Sequence, residues 1–162
     1  MLEVEAVQCA FGLLHPPTFQ GFVMNKIILK GRTVVGGVAE GEAFVTRHTI
    51  SGWGGIDHKT GTIVEMRHEK RGQSFAGKVL VFPGAKGSSG WSHYFHMARI
   101  AGVAPRAMVF NIMTTKVALG AVVVRAPAVT DLDQDPLALI EDGDWVKVDG
   151  DKGIVEVTKK AP

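Results

Sequence analysis

Short apolar runs separated by glycines dominate the chain from Lys26 onward. "KIILKG" and "GEAFVTRHTI" are rich in β-branched residues and bounded by glycine, which predicts strands. "GGVAEGEA" between them reads as turn chemistry. "SGWGGIDHKTGTIV" reads as a Gly-rich loop that turns at Lys59-Thr60-Gly61 into a short strand. "GKVLVF" and "RAMVFN" hold consecutive apolar residues, the pattern of strands buried on both faces. Near the end, "GDWVKVDGDKGIVEVTK" is two alternating runs around Asp149-Gly150-Asp151, which predicts a β-hairpin.

One stretch changes period. Trp91, Tyr94, Phe95, Ala98 and Ala101 recur at helical spacing, with Gly102 suited to the C′ position and Pro105 just beyond. "TTKVALGAVVVRAP" carries two signals, because Thr114 or Thr115 can cap a helix while three consecutive valines favour a strand. It is read as a helix, followed by a strand in "PAVTDL". The sum is one β-rich α/β domain over residues 25–162. Residues 1–24, weakly amphipathic and stopped by Pro16-Pro17, form an N-terminal extension of uncertain structure.

Composition narrows the partners. The 18 Lys and Arg against 16 Asp and Glu leave a net charge of +2, too little to argue for nucleic acid. The single cysteine, Cys9, can form no internal disulfide and cannot hold an iron–sulfur cluster, which takes several thiolates. A cytoplasmic location is the simplest fit. No apolar run is long enough for a membrane span, and the early acids argue against a signal peptide.

The chemistry concentrates in "VFPGAKGSSGWSHYF", where a buried strand runs through Lys86, Gly87, Ser88, Ser89 and Gly90 into the predicted helix. A helix start exposes unpaired N–H groups and favours anions; Gly87 and Gly90 permit close approach, and the hydroxyls and Lys86 add donors. The bland alternative is a serine that only caps the helix, worth ~1 kcal/mol. The stretch is neither a Walker A loop nor a GxSxG elbow. His93 and His96 fall on the polar side of the helix and read as a solvated face. His58 sits in a loop, and Asp57 suits an Asx turn. The three tryptophans suit core or interface anchoring.

From about Lys26 to Val157 the chain resembles the small subunit, or swivel domain, of the aconitase X family. The resemblance is carried in order by "GRTVVGGVAEGEAFVT", "ISGWGGIDHKTGTIV", "GQSFAGKVLVFPGAKGSSGWS", "GVAPRAMVFN", "ALGAVVV" and "DGDWVKVDGDKGIVEV". It implies a swivelling β/β/α barrel-like fold and half of a hydro-lyase. The partner would be a large subunit that carries the iron–sulfur cluster and most of the active site, in a heterodimer. The implied reaction is dehydration of a hydroxy carboxylic acid, cis-3-hydroxy-L-proline or mevalonate 5-phosphate.

The resemblance also assigns roles. Ser88 takes the place of the proton-abstracting base, with Ser89 beside it. Gly90 stands where aconitase has a substrate-binding arginine, so carboxylate recognition falls to Lys86, the turn amides at Gly87, or partner residues. Asn111, Thr114 and Thr115, at the second strand-to-helix turn, are candidate substrate contacts. Many archaeal members carry an acidic residue near there, and its absence from "NIMTTKVALG" favours cis-3-hydroxy-L-proline. The rival from another class is a phosphohistidine swivelling domain, with His93 as phosphocarrier; "GSSGWSH" replaces the Gly-Gly-Thr-His turn such domains use. A non-catalytic binding module on the same scaffold is a third reading.

Overall fold

Two edges of one curled sheet meet at a single glycine. The structure, a computed structural model, describes residues 26–161; the extension 1–24, with Cys9, lies outside them. Its strands are β1 (Lys26–Lys30), β2 (Arg32–Val35), β3 (Val38–Val45), β4 (Ile50–Ser51), β5 (Ile56–Asp57), β6 (Thr62–Ile63), β7 (Val79–Phe82), β8 (Ala85–Lys86), β9 (Ala107–Phe110), β10 (Ala128–Thr130), β11 (Trp145–Asp149) and β12 (Ile154–Thr158). The helices are α1 (Trp91–Ile100), α2 (Thr115–Val124) and α3 (Pro136–Leu139). Eight strands form one sheet in the order β1-β12-β11-β3-β7-β9-β10-β2.

Strands β3, β7, β9 and β10 run parallel, and antiparallel strands flank them. The outermost strands, β1 and β2, are separated in the chain only by Gly31, so the sheet must curl until its edges meet. A Cβ at Gly31 would lie 2.5 Å from the Thr130 carbonyl, and the Gly31 amide donates to the Gly153 carbonyl at 2.8 Å. This is the expected barrel-like β/β/α fold.

Side-chain size differs between the two faces of the curl. Ala43, Val45, Val79, Val81, Ala107 and Val109 point inward with valines of β11 and β12, filling a narrow interior with small residues. Their alternate neighbours Phe44, Leu80, Phe82, Met108 and Phe110 point outward, where α1 and α2 cover them. This two-sided burial is why "GKVLVF" and "RAMVFN" lack alternation.

"GGVAEGEA" corrects an expectation. Only Gly36-Gly37 turns; Val38–Ala43 belong to β3, with Val38–Glu42 paired antiparallel with β11. Ladder partners override the turn propensity of its glycines. The valines of "AVVV" lie in α2 and a strand follows at β10, as the capping signal indicated. α1 ends as expected, with Gly102 at φ +74° and its amide donating to the Arg99 carbonyl. Ala101, however, is exposed at the helix end. Strand β2 and the one-turn α3 went unread in the sequence. Among the described residues no helix is long and apolar enough to cross a membrane.

Candidate active site

The parallel strands β7 and β9 end on the same side and feed the two helices, which brings the two candidate turns together. After β7 the chain passes Pro83 and Gly84, pairs β8 in parallel with β4, and turns at Gly87, whose φ is +85°. Ser88 and Ser89 follow, both exposed. The helix cap is Gly90, and no side chain caps α1. Neither serine therefore has the capping role of the bland alternative. Ser88 Oγ instead accepts a hydrogen bond from the Gly90 amide at 3.3 Å, and the Ser88 carbonyl accepts from the Trp91 amide at 3.2 Å.

What fixes this helix start is Trp91. Its ring is buried, stacks on Phe95 with centroids 4.0 Å apart, and lies against Gly120 of α2. Its Nε1 donates to the Ile50 carbonyl at 2.9 Å. The Gly-rich segment 51–55 packs against the same point. A Cβ at Gly52 would sit 2.8 Å from the Trp91 Cα, and one at Gly87 would sit 3.2 Å from Ser51 Oγ. Close backbone approach thus explains Gly52 and Gly55 of "SGWGG", and a positive φ of +69° explains Gly54. Asp57 closes the following turn, accepting from the Lys59 amide and Thr60 Oγ1, both at 2.9 Å, and these bonds lower its pKa. His58 and His93 each meet Tyr94 edge-on, and His93 is exposed.

The second turn is tied to the first. The Ile112 amide donates to the Pro83 carbonyl at 2.8 Å, and a Cβ at Gly84 would lie 3.1 Å from the Ile112 carbonyl oxygen. Thr114 caps α2, its hydroxyl accepting from the Val117 amide at 3.4 Å, and Thr115 is the first helical residue, exposed. Asn111 is turned aside, donating to Asp135 Oδ1 at 3.0 Å. Lys116 Nζ donates to the Gly87 carbonyl. Lys86, Gly87, Ser88 and Ser89 thus share one turn with Lys116 reaching it across the gap, while Thr114 and Asn111 serve neighbouring backbone and side chains.

Lys86 is not idle: its Nζ pairs with Glu65 Oε1. Glu65 Oε2 and the nearby His68 Nε2 are buried without a hydrogen-bond partner. Burial, with the charge of His48 adding to it, lowers the pKa of His68 against the pull of Glu65 and Glu69. Sequence reasoning missed Glu65 and Lys116. Lys116 had a signal, a cation in the first turn of the second helix; Glu65 had none.

Large apolar side chains rim the turn side of the chain. Trp53 is 75% and Met66 73% exposed, and Ile112 is also exposed. Of the three tryptophans, Trp91 is core, Trp53 is surface and Trp145 is half exposed. Among the described residues no group of three or more His, Cys, Asp or Glu side chains converges, and no cysteine is present. These residues do not fit an iron–sulfur cluster.

The sequence pattern of the aconitase X swivel domain matches residues 28–157. The chain belongs to that family. Phosphomevalonate dehydratase small subunits are similar to it: that of Methanosarcina acetivorans is 43% identical over 84% of this chain and 94% of its own length. That of Thermococcus kodakarensis is 41% identical over 80% and 95%. The crystal structure of Thermococcus kodakaraensis aconitase X in its holo form superposes with a TM-score of 0.77 at 40% identity, covering 82% of this chain and 99% of that one. A solution NMR structure of a UPF0107 protein gives 0.75 at 40% identity, over 82% and 100%. These aconitase X likenesses lend nothing to His93 as a phosphocarrier.

Proposed function

We propose that the chain is the small subunit of an aconitase X-type hydro-lyase, that Ser88 is its base, and that its substrate is mevalonate 5-phosphate. The observation that carries the reading is the open helix start, where an exposed Ser88 Oγ already accepts the Gly90 N–H. A free hydroxyl is a poor base near neutral pH. The Gly90 N–H and the positive end of α1 favour the alkoxide over the alcohol, which lowers the cost of proton removal. Ser88 then takes the proton from the carbon beside the substrate carboxylate. The 3.3 Å contact tightens as charge develops on the oxygen.

The substrate choice rests on names and on charge. Relatives that match nearly their whole length are phosphomevalonate dehydratase small subunits. Around Ser88 stand Lys116, reaching over from α2, and Lys86, which is paired with Glu65. A substrate with a phosphate and a carboxylate suits that setting better than an amino acid, whose ammonium seeks a free carboxylate. The missing acid in "NIMTTKVALG" favours cis-3-hydroxy-L-proline, so both acids enter the test. The exposed Trp53, Met66 and Ile112 suit a surface over which the large subunit closes. Any iron–sulfur cluster then belongs to that subunit.

The test is reconstitution. The chain is mixed anaerobically, with iron, with the large subunit encoded alongside it, and water loss is assayed from both acids. Turnover of mevalonate 5-phosphate that neither subunit shows alone supports the reading; turnover of cis-3-hydroxy-L-proline alone keeps the dehydratase and overturns the substrate. A stable complex inactive on both acids sinks it.

A further inference from the structure

We propose that Lys116, rather than Lys86, is the cation that receives the substrate carboxylate beside Ser88. This rests on the dehydratase reading above. A proton next to a carboxylate can reach Ser88 Oγ only from a near-attack distance of about 3–3.5 Å. The group that holds the carboxylate must therefore sit beside the same turn. It must also carry positive charge, because proton loss delocalises a second negative charge onto that carboxylate.

Two lysines meet the first condition, and they differ in the second. Lys86 spends its charge on Glu65. Drawing Lys86 to a substrate would leave the Glu65 carboxylate, whose other oxygen is already buried without a partner, with none at all. Lys116 has no such tie. Its Nζ meets the neutral Gly87 carbonyl, and among the described residues it forms no ion pair with Asp or Glu. An ammonium has three donors, so two remain for a ligand. The contact also holds Lys116 one residue from Ser88, and Lys116 stands on a helix whose start Thr114 fixes.

The experiment compares Lys116→Met, Lys116→Arg and Lys86→Met in the reconstituted complex. Lys116→Met lowers kcat/KM about a hundredfold, Lys116→Arg keeps more than about a tenth of it, and Lys86→Met loses less than about tenfold. Lys116→Met activity within threefold of the parent, or a larger loss in Lys86→Met, overturns the assignment. Acetate titrated into the full ¹⁵N-labelled chain supplies a readout that a merely structural lysine would not move. The Gly87, Ser88 and Ser89 amides shift and saturate in the parent, and fail to do so in Lys116→Met. Identical shifts in the variant, or none in the parent, overturn the proposal. If the parent complex turns over neither acid, the dehydratase reading fails and the acetate titration alone decides for Lys116.

Discussion

The two helices that cover the sheet begin in opposite ways. α2 starts at Thr114, whose hydroxyl accepts the Val117 amide, so its first turn is closed by a local side chain. α1 starts at Gly90 with no side-chain cap, although two serines stand immediately before it. Its position is set from a distance, by Trp91 wedged between Phe95, Gly120 and the Ile50 carbonyl. A cap would have stabilised α1 by ~1 kcal/mol but would have tied up a serine oxygen. Anchoring by Trp91 leaves both serines exposed, with Ser88 Oγ bonded only to the Gly90 amide. On the proposed reading, one start serves stability and the other chemistry.

The largest effect follows from removing the hydroxyl at the open start. On the proposed reading Ser88→Ala deletes the base, and with it only one exposed hydrogen bond to the Gly90 amide and no core contact. In the reconstituted complex kcat falls about a thousandfold, roughly 4 kcal/mol of barrier, while the urea midpoint of the chain stays put. Near-normal turnover in an intact complex would end the case for Ser88. Ser89→Ala is the internal control, with a smaller loss.

The anchor itself gives the next effect. A Cβ at Gly120 would lie 2.1 Å from Cζ3 of Trp91, so Gly120→Ala must displace the indole. Overpacking of this kind costs up to ~3 kcal/mol, and the better helix propensity of alanine returns ~1, leaving a net loss of ~2 kcal/mol. Urea unfolding measures that loss. Turnover falls as well, because Trp91 is the first residue after the turn and carries Ser88 with it. A destabilised variant with unchanged turnover would show that the turn is held independently of Trp91.

How much of this contrast the sequence revealed depends on the range of the interaction. The helical spacing of Trp91, Phe95 and Ala98, the Gly102 stop and the final hairpin are local patterns, and all were legible. The buried strands were legible because "VLVF" and "AMVF" are too short and too apolar to be anything else in a chain of this kind. The strand in "GEAFV" was legible, but the start of β3 reads as a turn because Gly36, Gly37 and Gly41 surround it, and only its pairing with β11 makes it a strand. At the site, the turn carrying Ser88 was visible. Its uncapped state was not, since "GSSG" before a helix looks the same whether or not a serine caps. Glu65 and Lys116 reach the turn from 21 and 29 residues away. Pairings at that range leave no periodic trace.

The smallest effect tests the closed start, and it separates a cap from a substrate contact. Thr114 was a candidate ligand on sequence grounds, yet its hydroxyl is engaged with Val117. If capping is its whole role, Thr114→Ala costs ~1 kcal/mol in urea unfolding and changes turnover less than about twofold. Thr114→Ser, which keeps the acceptor, restores most of the stability. If the hydroxyl instead meets substrate, KM rises with little change in the unfolding midpoint, and serine rescues binding rather than stability. The 3.4 Å contact to Val117 is long for a cap, so the loss should fall at the low end of the range. A loss well above 1 kcal/mol would mean that Thr114 also holds the Ile112 loop against Pro83 and so helps shape the open turn. The two helix starts would then be coupled, and Thr114→Ala would lower turnover through Ser88 without any contact to the substrate.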